Sequence, residues 1–264
     1  MRTPTDASGS PLSIERFLHR IPEAETHRCV FMSGSSTRGW AHATSDLDFF
    51  VIIDEPVAID ATLVKHDLSV EPPEVRVLVR RTDDVRWDVE FWLDAQVRQI
   101  VDRCFVEDPD QSLRRPFTHC EADLAYRLRQ AIALSGEPWL EDVRSALERS
   151  RLQSILVNRA LYGADGLLDD TAGLLLSGDL HTAALAVRDA FGRVVDALLI
   201  DAGELCPGPK WRARRLLEVR PNALPWDEYW SVETMRAYTP EHARSWIEDT
   251  MDRCRRLMME IDAS

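Results

Sequence analysis

The sequence predicts an α+β fold, a small mixed sheet flanked by helices and followed by an all-helical bundle, and three observations carry that expectation. Before Pro116 the apolar segments are short, rich in β-branched and aromatic residues, and separated by Gly, Pro or Asp clusters, which is the pattern of strands. From Glu121 onward the apolar residues recur at helical spacing instead. With 264 residues, 45% of them hydrophobic and 29% charged, the chain can bury a real core in one large or two ordinary domains. The change of character places the domains at 1–117 and 118–264.

Taken in order, residues 13–20 read as a first helix, with Ser13 as N-cap and Glu15 in the first turn. CVFMSG (29–34), LDFFVII (47–53), VRVLVR (75–80) and VRWDVEFWL (85–93) read as strands. The Pro-bounded stretch EPVAIDATLVKHDLSVEPPEV between the second and third fits neither pattern clearly. A helix starts near Leu93 and runs through AQVRQIVDRC. In the second half LAYRLRQAIAL, WLEDVRSALERSRLQSILVNRALYG, TAALAVRDAFGRVVDALLIDAG and EHARSWIEDTMDRCRRLMMEI read as helices, punctuated by Gly163, Gly203 and Pro207 as C-cap and breaker signals.

Composition limits the partners. With 32 Lys+Arg against 45 Asp+Glu the net charge is −13, so no nucleic-acid partner is expected, while a small cationic substrate suits the acidic balance. The RARR cluster, Arg212 to Arg215, is the one basic patch, and it reads as a helix face paired with acids. No apolar run approaches the roughly 20 residues that span a bilayer, and MRTPTDASGSPLSIERF lacks the basic and then apolar order of a secretory signal, so a cytoplasmic protein without a membrane partner is expected. Five cysteines (Cys29, Cys104, Cys120, Cys206, Cys254) form no CxxC pair, which points to buried reduced thiols. The oligomeric state stays open.

Chemistry concentrates in FMSGSSTRGWAHATSDLDFFVII (31–53), which reads as strand, Gly-Ser turn, short helix, Ser-Asp turn and a strand carrying two acids. Gly34 allows a tight turn and close approach of backbone to ligand, and Ser35 and Ser36 offer hydroxyls and N–H groups to an anion such as a triphosphate. Asp46 and Asp48 are two apart on a strand and point to one face, where they suit Mg²⁺ bridging to phosphate oxygens. A lone Gly-Ser turn is usually just a turn, and a lone D-x-D a solvated edge; their spacing together is what sets this segment apart.

Gly34-Ser35, then Gly39, then Ser45-Asp46-x-Asp48 before an apolar strand resembles the G-S…G…S-D-x-D signature of the nucleotidyltransferase superfamily related to DNA polymerase beta, over about the first ninety residues. The resemblance implies Mg²⁺ on Asp46 and Asp48, a nucleoside triphosphate, most simply ATP, held by Gly34, Ser35, Ser36, Arg38 and Ser45, and a third carboxylate on a neighbouring strand. In VRWDVEFWL, Asp88 and Glu90 share one face and Trp87, Val89 and Phe91 the other. W-x-V-E resembles the matching strand of kanamycin-type aminoglycoside nucleotidyltransferases, which favours Glu90, with Asp88 the alternative ligand. PGPKWRARRL (207–216) resembles the Lys-Trp-Arg segment of the same enzymes, so Lys210 is the implied phosphate ligand, and Trp211 reads as packing.

The same resemblance implies a carboxylate base shortly before that segment, and Asp201 and Glu204 stand there, three apart and on one face if their helix continues. Asp196, His42 and His181 are the substitutes. The implied reaction is Mg²⁺-dependent transfer of a nucleoside monophosphate to a hydroxyl or amine of a small molecule, aminoglycoside-like or another metabolite, with the site at the domain junction. Two alternatives are nucleotidylation of a protein or RNA in a toxin–antitoxin-like system, and a non-catalytic nucleotide-binding protein. The fused helical half argues against the first; the intact Gly-Ser pair and both aspartates argue against the second.

Overall fold

A computed structural model describes residues 12–42, 44–59, 63–82, 85–105 and 116–262. The first helix, α1 (Ile14–Arg20), starts as expected: the Ser13 hydroxyl accepts the Arg16 N–H at 3.3 Å, and Glu15 lies in the first turn. The strands are β1 (Cys29–Ser33), β2 (Leu47–Ile53), β3 (Leu63–Asp67), β4 (Glu74–Thr82), β5 (Val85–Leu93) and β6 (Ile132–Ser135), in the sheet order β3-β4-β5-β2-β1-β6. Only β2 and β5 run parallel; the other neighbours are antiparallel, so the sheet is mixed. The ambiguous stretch before β4 contributes β3, an edge strand paired to β4 from Leu63 opposite Leu78 to Asp67 opposite Glu74.

Period-two alternation gives the sheet two different faces. Val30, Met32, Leu47, Phe49, Val51, Ile53, Trp87, Val89 and Phe91 form one core with Phe17 of α1. The Phe17, Phe49 and Trp87 rings pack together there, with centroids 4.7–6.0 Å apart. The opposite face carries Asp48 and Phe50 of β2 and Asp88, Glu90 and Trp92 of β5. The short helix α2 (Ser35–Arg38) follows β1, α3 (Asp94–Arg103) follows β5, and α4 (His119–Gln130) precedes β6. Thr118 and Glu121 form a capping box at the start of α4.

The helical reading of LAYRLRQAIAL holds only to Gln130. Ala131 turns extended, at ψ 146°, and Ile132 and Ala133 pair with Met32 and Phe31 of β1. The unpaired edge of β1 outweighs local periodicity, because a buried strand edge without partners leaves N–H and C=O groups unsatisfied. That pairing, with α5 (Glu137–Arg149) behind it, extends the first compact unit through Leu152, beyond the 117/118 boundary drawn from composition; Gln153–Ser264 is the second.

The second unit contains α6 (Leu152–Ser177, which starts one residue earlier), α7 (Leu180–Asp201), α8 (Arg212–Val219), α9 (Trp226–Glu233) and α10 (Ala243–Asp262). Buried Val187, Phe191, Val194 and Leu198 of α7 and Ile247, Met251, Cys254 and Leu257 of α10 are its apolar centre. Gly163 does not end a helix: it lies inside α6, where a Cβ would stand 2.7 Å from Arg193 Nη1, so it is a close-approach position. Gly203, at φ +92°, does stop α7. All five cysteines are free, and burial pushes the Cys29, Cys104 and Cys254 thiols up to about 12. Among the described residues no helix is long and apolar enough to cross a membrane.

Candidate active site

The site face begins where β1 ends. Ser33 lies opposite Asp48 in the antiparallel register, and Gly34 follows at φ +93°. A Cβ on Gly34 would stand 2.2 Å from Asp48 Oδ2 and 2.9 Å from Arg127 Nη1, so glycine is required both by its backbone angle and by the carboxylate packed against it. The Thr37 hydroxyl donates to the Gly34 carbonyl at 2.9 Å and closes the turn. Ser36 Oγ is buried there with no hydrogen-bond partner, a polar atom that an anion's oxygen would satisfy. Arg38 lies over the Trp40 ring, 3.5 Å from its centroid, and donates to the Tyr126 hydroxyl at 2.9 Å.

Asp46 is half-buried just before β2, and the Ser45 hydroxyl accepts the His42 N–H at 2.9 Å, which fixes the preceding turn. His42 Nδ1 meets the Thr44 hydroxyl at 3.1 Å. Parallel pairing sets Asp48 beside Asp88, and Phe50 beside Glu90. Both β5 acids lie on the Asp48 face, as their spacing predicts, but in different surroundings. Asp88 accepts from Arg86 Nε at 2.6 Å and stays partly exposed. Glu90 is half-buried and accepts from Trp92 Nε1 at 2.8 Å; desolvation pushes its carboxyl up to about 7, although Arg127 and the Trp92 hydrogen bond oppose the shift. Burial likewise raises Asp48, again against the pull of Arg127.

Two residues of the cluster were not singled out from the sequence. Arg127 of α4 lies 3.2 Å from Asp48 Oδ2, and its Nε donates to Asp123 Oδ2 at 2.5 Å. Burial works against its charge, but Asp123, Asp48 and Glu90 outweigh it and hold the guanidinium above its ordinary value. The available signal was an i,i+4 Asp–Arg pair in EADLAYRLR, which resembles any solvated helix face.

The second-half candidates all lie in the other compact unit. Asp201 is the last residue of α7, and its carbonyl accepts from Gln153 Nε2 at 2.7 Å. The helix does not continue to Glu204: Gly203 turns left-handed and the Glu204 N–H bonds the Leu199 carbonyl at 2.9 Å, so the two acids share no helical face. Lys210 is exposed in a 3₁₀ turn, its Nζ 5.1 Å from the centre of the Trp211 ring. Asp196 is unsuited to proton transfer, since Arg212 grips it through two hydrogen bonds of 3.0 and 2.7 Å and Arg215 through a third. His181 Nδ1 meets the Tyr238 hydroxyl at 3.2 Å.

Among the described residues no three His, Cys, Asp or Glu side chains converge as a formed metal cluster. By donor type, however, Asp46, Asp48, Asp88 and Glu90 are a hard, all-oxygen set at one end of two adjacent strands, which fits Mg²⁺ and not a soft metal.

Residues 14–106 match the family model of the nucleotidyltransferase domain. No curated protein matches the chain. A solved nucleotidyltransferase-like protein from Exiguobacterium sibiricum 255-15 shares the fold with a TM-score of 0.52 and 12% identity, over 94% of this chain and 74% of that one.

Proposed function

We infer, for a chain whose residues 14–106 match the nucleotidyltransferase domain family, that it transfers a nucleoside monophosphate, AMP from ATP, to a hydroxyl or amine of a small molecule and releases pyrophosphate. The observation that carries this reading is the fit of Asp48 against Gly34: the residue proposed to hold metal and the turn proposed to hold phosphate are in van der Waals contact, with the Ser36 hydroxyl buried and unspent beside them.

Asp46 and Asp48 would hold Mg²⁺, with Glu90 or Asp88 as the third carboxylate. Glu90 is favoured because it shares the field of Arg127, Asp123 and Asp48, whereas Asp88 is engaged by Arg86. The bound ion would neutralise charge on the triphosphate and on departing pyrophosphate. Gly34, Ser35, Ser36, Arg38 and Ser45 shape the turn for the nucleotide, and Lys210 is a further phosphate ligand. The acceptor oxygen or nitrogen attacks the α-phosphorus and the bond to pyrophosphate breaks. The acceptor's proton passes to a carboxylate, Asp201 or Glu204. The net charge of −13 supports a cationic or neutral acceptor over a nucleic acid.

Purified protein incubated with Mg²⁺, each of the four nucleoside triphosphates and a panel of hydroxylated cationic and neutral metabolites is expected to release pyrophosphate and to raise an acceptor's mass by one nucleotidyl group. Failure of every nucleotide to bind in the presence of Mg²⁺ would overturn the reading at its first step.

A further inference from the structure

Arg127 is set directly on the carboxylates around Asp48, as Arg86 is on Asp88. Asp48 and Asp123 lie within 3.2 Å of its guanidinium, Glu90 adds to the same field, and its plane lies 5.3 Å from the centre of the Phe50 ring. Two close carboxylates, Asp48 and Asp123, share this one guanidinium, and Asp46 and Glu90 add further acid beside them. The guanidinium is well placed by the backbone: the Ser33 hydroxyl donates to the Arg127 carbonyl at 3.1 Å, tying α4 to the end of β1.

The guanidinium is also incompletely used. Nη1 is buried yet makes no well-formed hydrogen bond, its approach to Asp48 being an ion pair only. That atom would stand 2.9 Å from a Cβ on Gly34, so its spare N–H groups lie at the Gly-Ser turn itself. A buried donor without an acceptor is costly, and a guanidinium matches phosphate oxygens in geometry as well as in charge.

We propose that Arg127 is a two-position cation, which neutralises Asp48 in the free protein and hydrogen-bonds the triphosphate when Mg²⁺–nucleotide binds. This rests on the nucleotidyl-transfer reading and adds a positioning residue to it. In the free protein Arg127 competes with a divalent ion for Asp48, so Mg²⁺ alone binds weakly. A triphosphate gives the guanidinium an alternative set of oxygens, releases Asp48, and makes metal and nucleotide binding mutually supportive.

The test uses the full-length protein and two probes, Mg²⁺ alone and Mg²⁺ with inorganic tripolyphosphate, with affinities read by calorimetry and by thermal shift. Arg127→Gln should bind Mg²⁺ alone more tightly than wild type, within the range of about 5- to 150-fold that couples two sites, and should bind Mg²⁺–tripolyphosphate more weakly. These opposite signs separate the proposal from a structural strut, whose loss would weaken both or neither. Equal affinities of wild type and Arg127→Gln for both probes, or changes of the same sign, overturn the proposal while leaving nucleotidyl transfer intact. If wild type binds neither probe, both readings fall together. Should Arg127→Gln not fold, Arg127→Lys keeps the charge and loses the fork; it is expected to show the same two changes at smaller size, and unchanged affinities for both probes would overturn the proposal.

Discussion

Gly34 and Glu90 carry the sharpest consequences of single side chains. Gly34→Ala must place a methyl group 2.2 Å from Asp48 Oδ2 in a backbone held at φ +93°. The strain alone costs about 1–3 kcal/mol, and Asp48 has to move. Denaturant titration should show the loss of stability, and nucleotidyl transfer should fall with it; a variant of wild-type stability and activity would show that the Asp48–Gly34 contact is dispensable. Glu90 makes stability depend on pH. Its folded carboxyl is raised by burial to about 7 from an ordinary 4.5, so between those values the folded protein holds a proton that the unfolded chain has released. Stability is therefore full below about pH 4.5 as far as this group is concerned and declines as pH rises through 7, by about 3 kcal/mol at most. Urea unfolding at pH 5 and pH 8 should show that decline in wild type and its absence in Glu90→Gln; equal slopes would assign it to another group. The faces of Asp48, Asp88 and Glu90 were legible from alternation, because period two is fixed by strand geometry. Arg127 was not, because what distinguishes it is burial beside residues nearly eighty positions away, and an i,i+4 pair carries no sign of that.

Helix and strand ends decided what the sequence could and could not say about elements. Ser13 and Gly203 were readable as cap and stop because each satisfies backbone groups locally. β6 was not readable: Ile132–Ser135 is extended because β1 needs a partner, which is a tertiary demand. The end of α7 separates Asp201 from Glu204, and the interior of the same helix shows a different kind of acid. Asp196 is gripped by Arg212 and Arg215, both buried, and Glu233 approaches Arg212 at 3.7 Å. Asp196→Asn leaves two buried guanidinium groups short of countercharge and should cost about 3–5 kcal/mol in chemical denaturation. Asp201→Asn and Glu204→Gln, at partly exposed helix-end positions, should cost less than about 0.5 kcal/mol. Whichever of these two accepts the proton should lower kcat by about 10²–10⁴-fold with little change in KM for the nucleotide. If both keep wild-type kcat with the true acceptor, neither is the base.

For the whole molecule, the α+β class, the mixed sheet and the succession of sheet and helices were legible because periodicity changes character along the chain. The extent of the first compact unit was not, since Met1–Leu152 includes two helices and a strand beyond the composition break at Pro116. The acceptor is set by side chains with no shared spacing, so the net charge of −13 gives only its class. Nucleotidyl transfer is measured most directly by following a radiolabel on the α-phosphate of ATP. With Mg²⁺ and the acceptor present, the label should move to the acceptor while a label on the γ-phosphate leaves in pyrophosphate. Chelation should stop both. Asp46→Asn and Asp48→Asn should each slow transfer by several powers of ten, as the loss of one or two interactions of about 3–4 kcal/mol requires, while the protein stays folded. Transfer of the γ-label to the acceptor, or undiminished transfer by folded Asp48→Asn, would contradict the account.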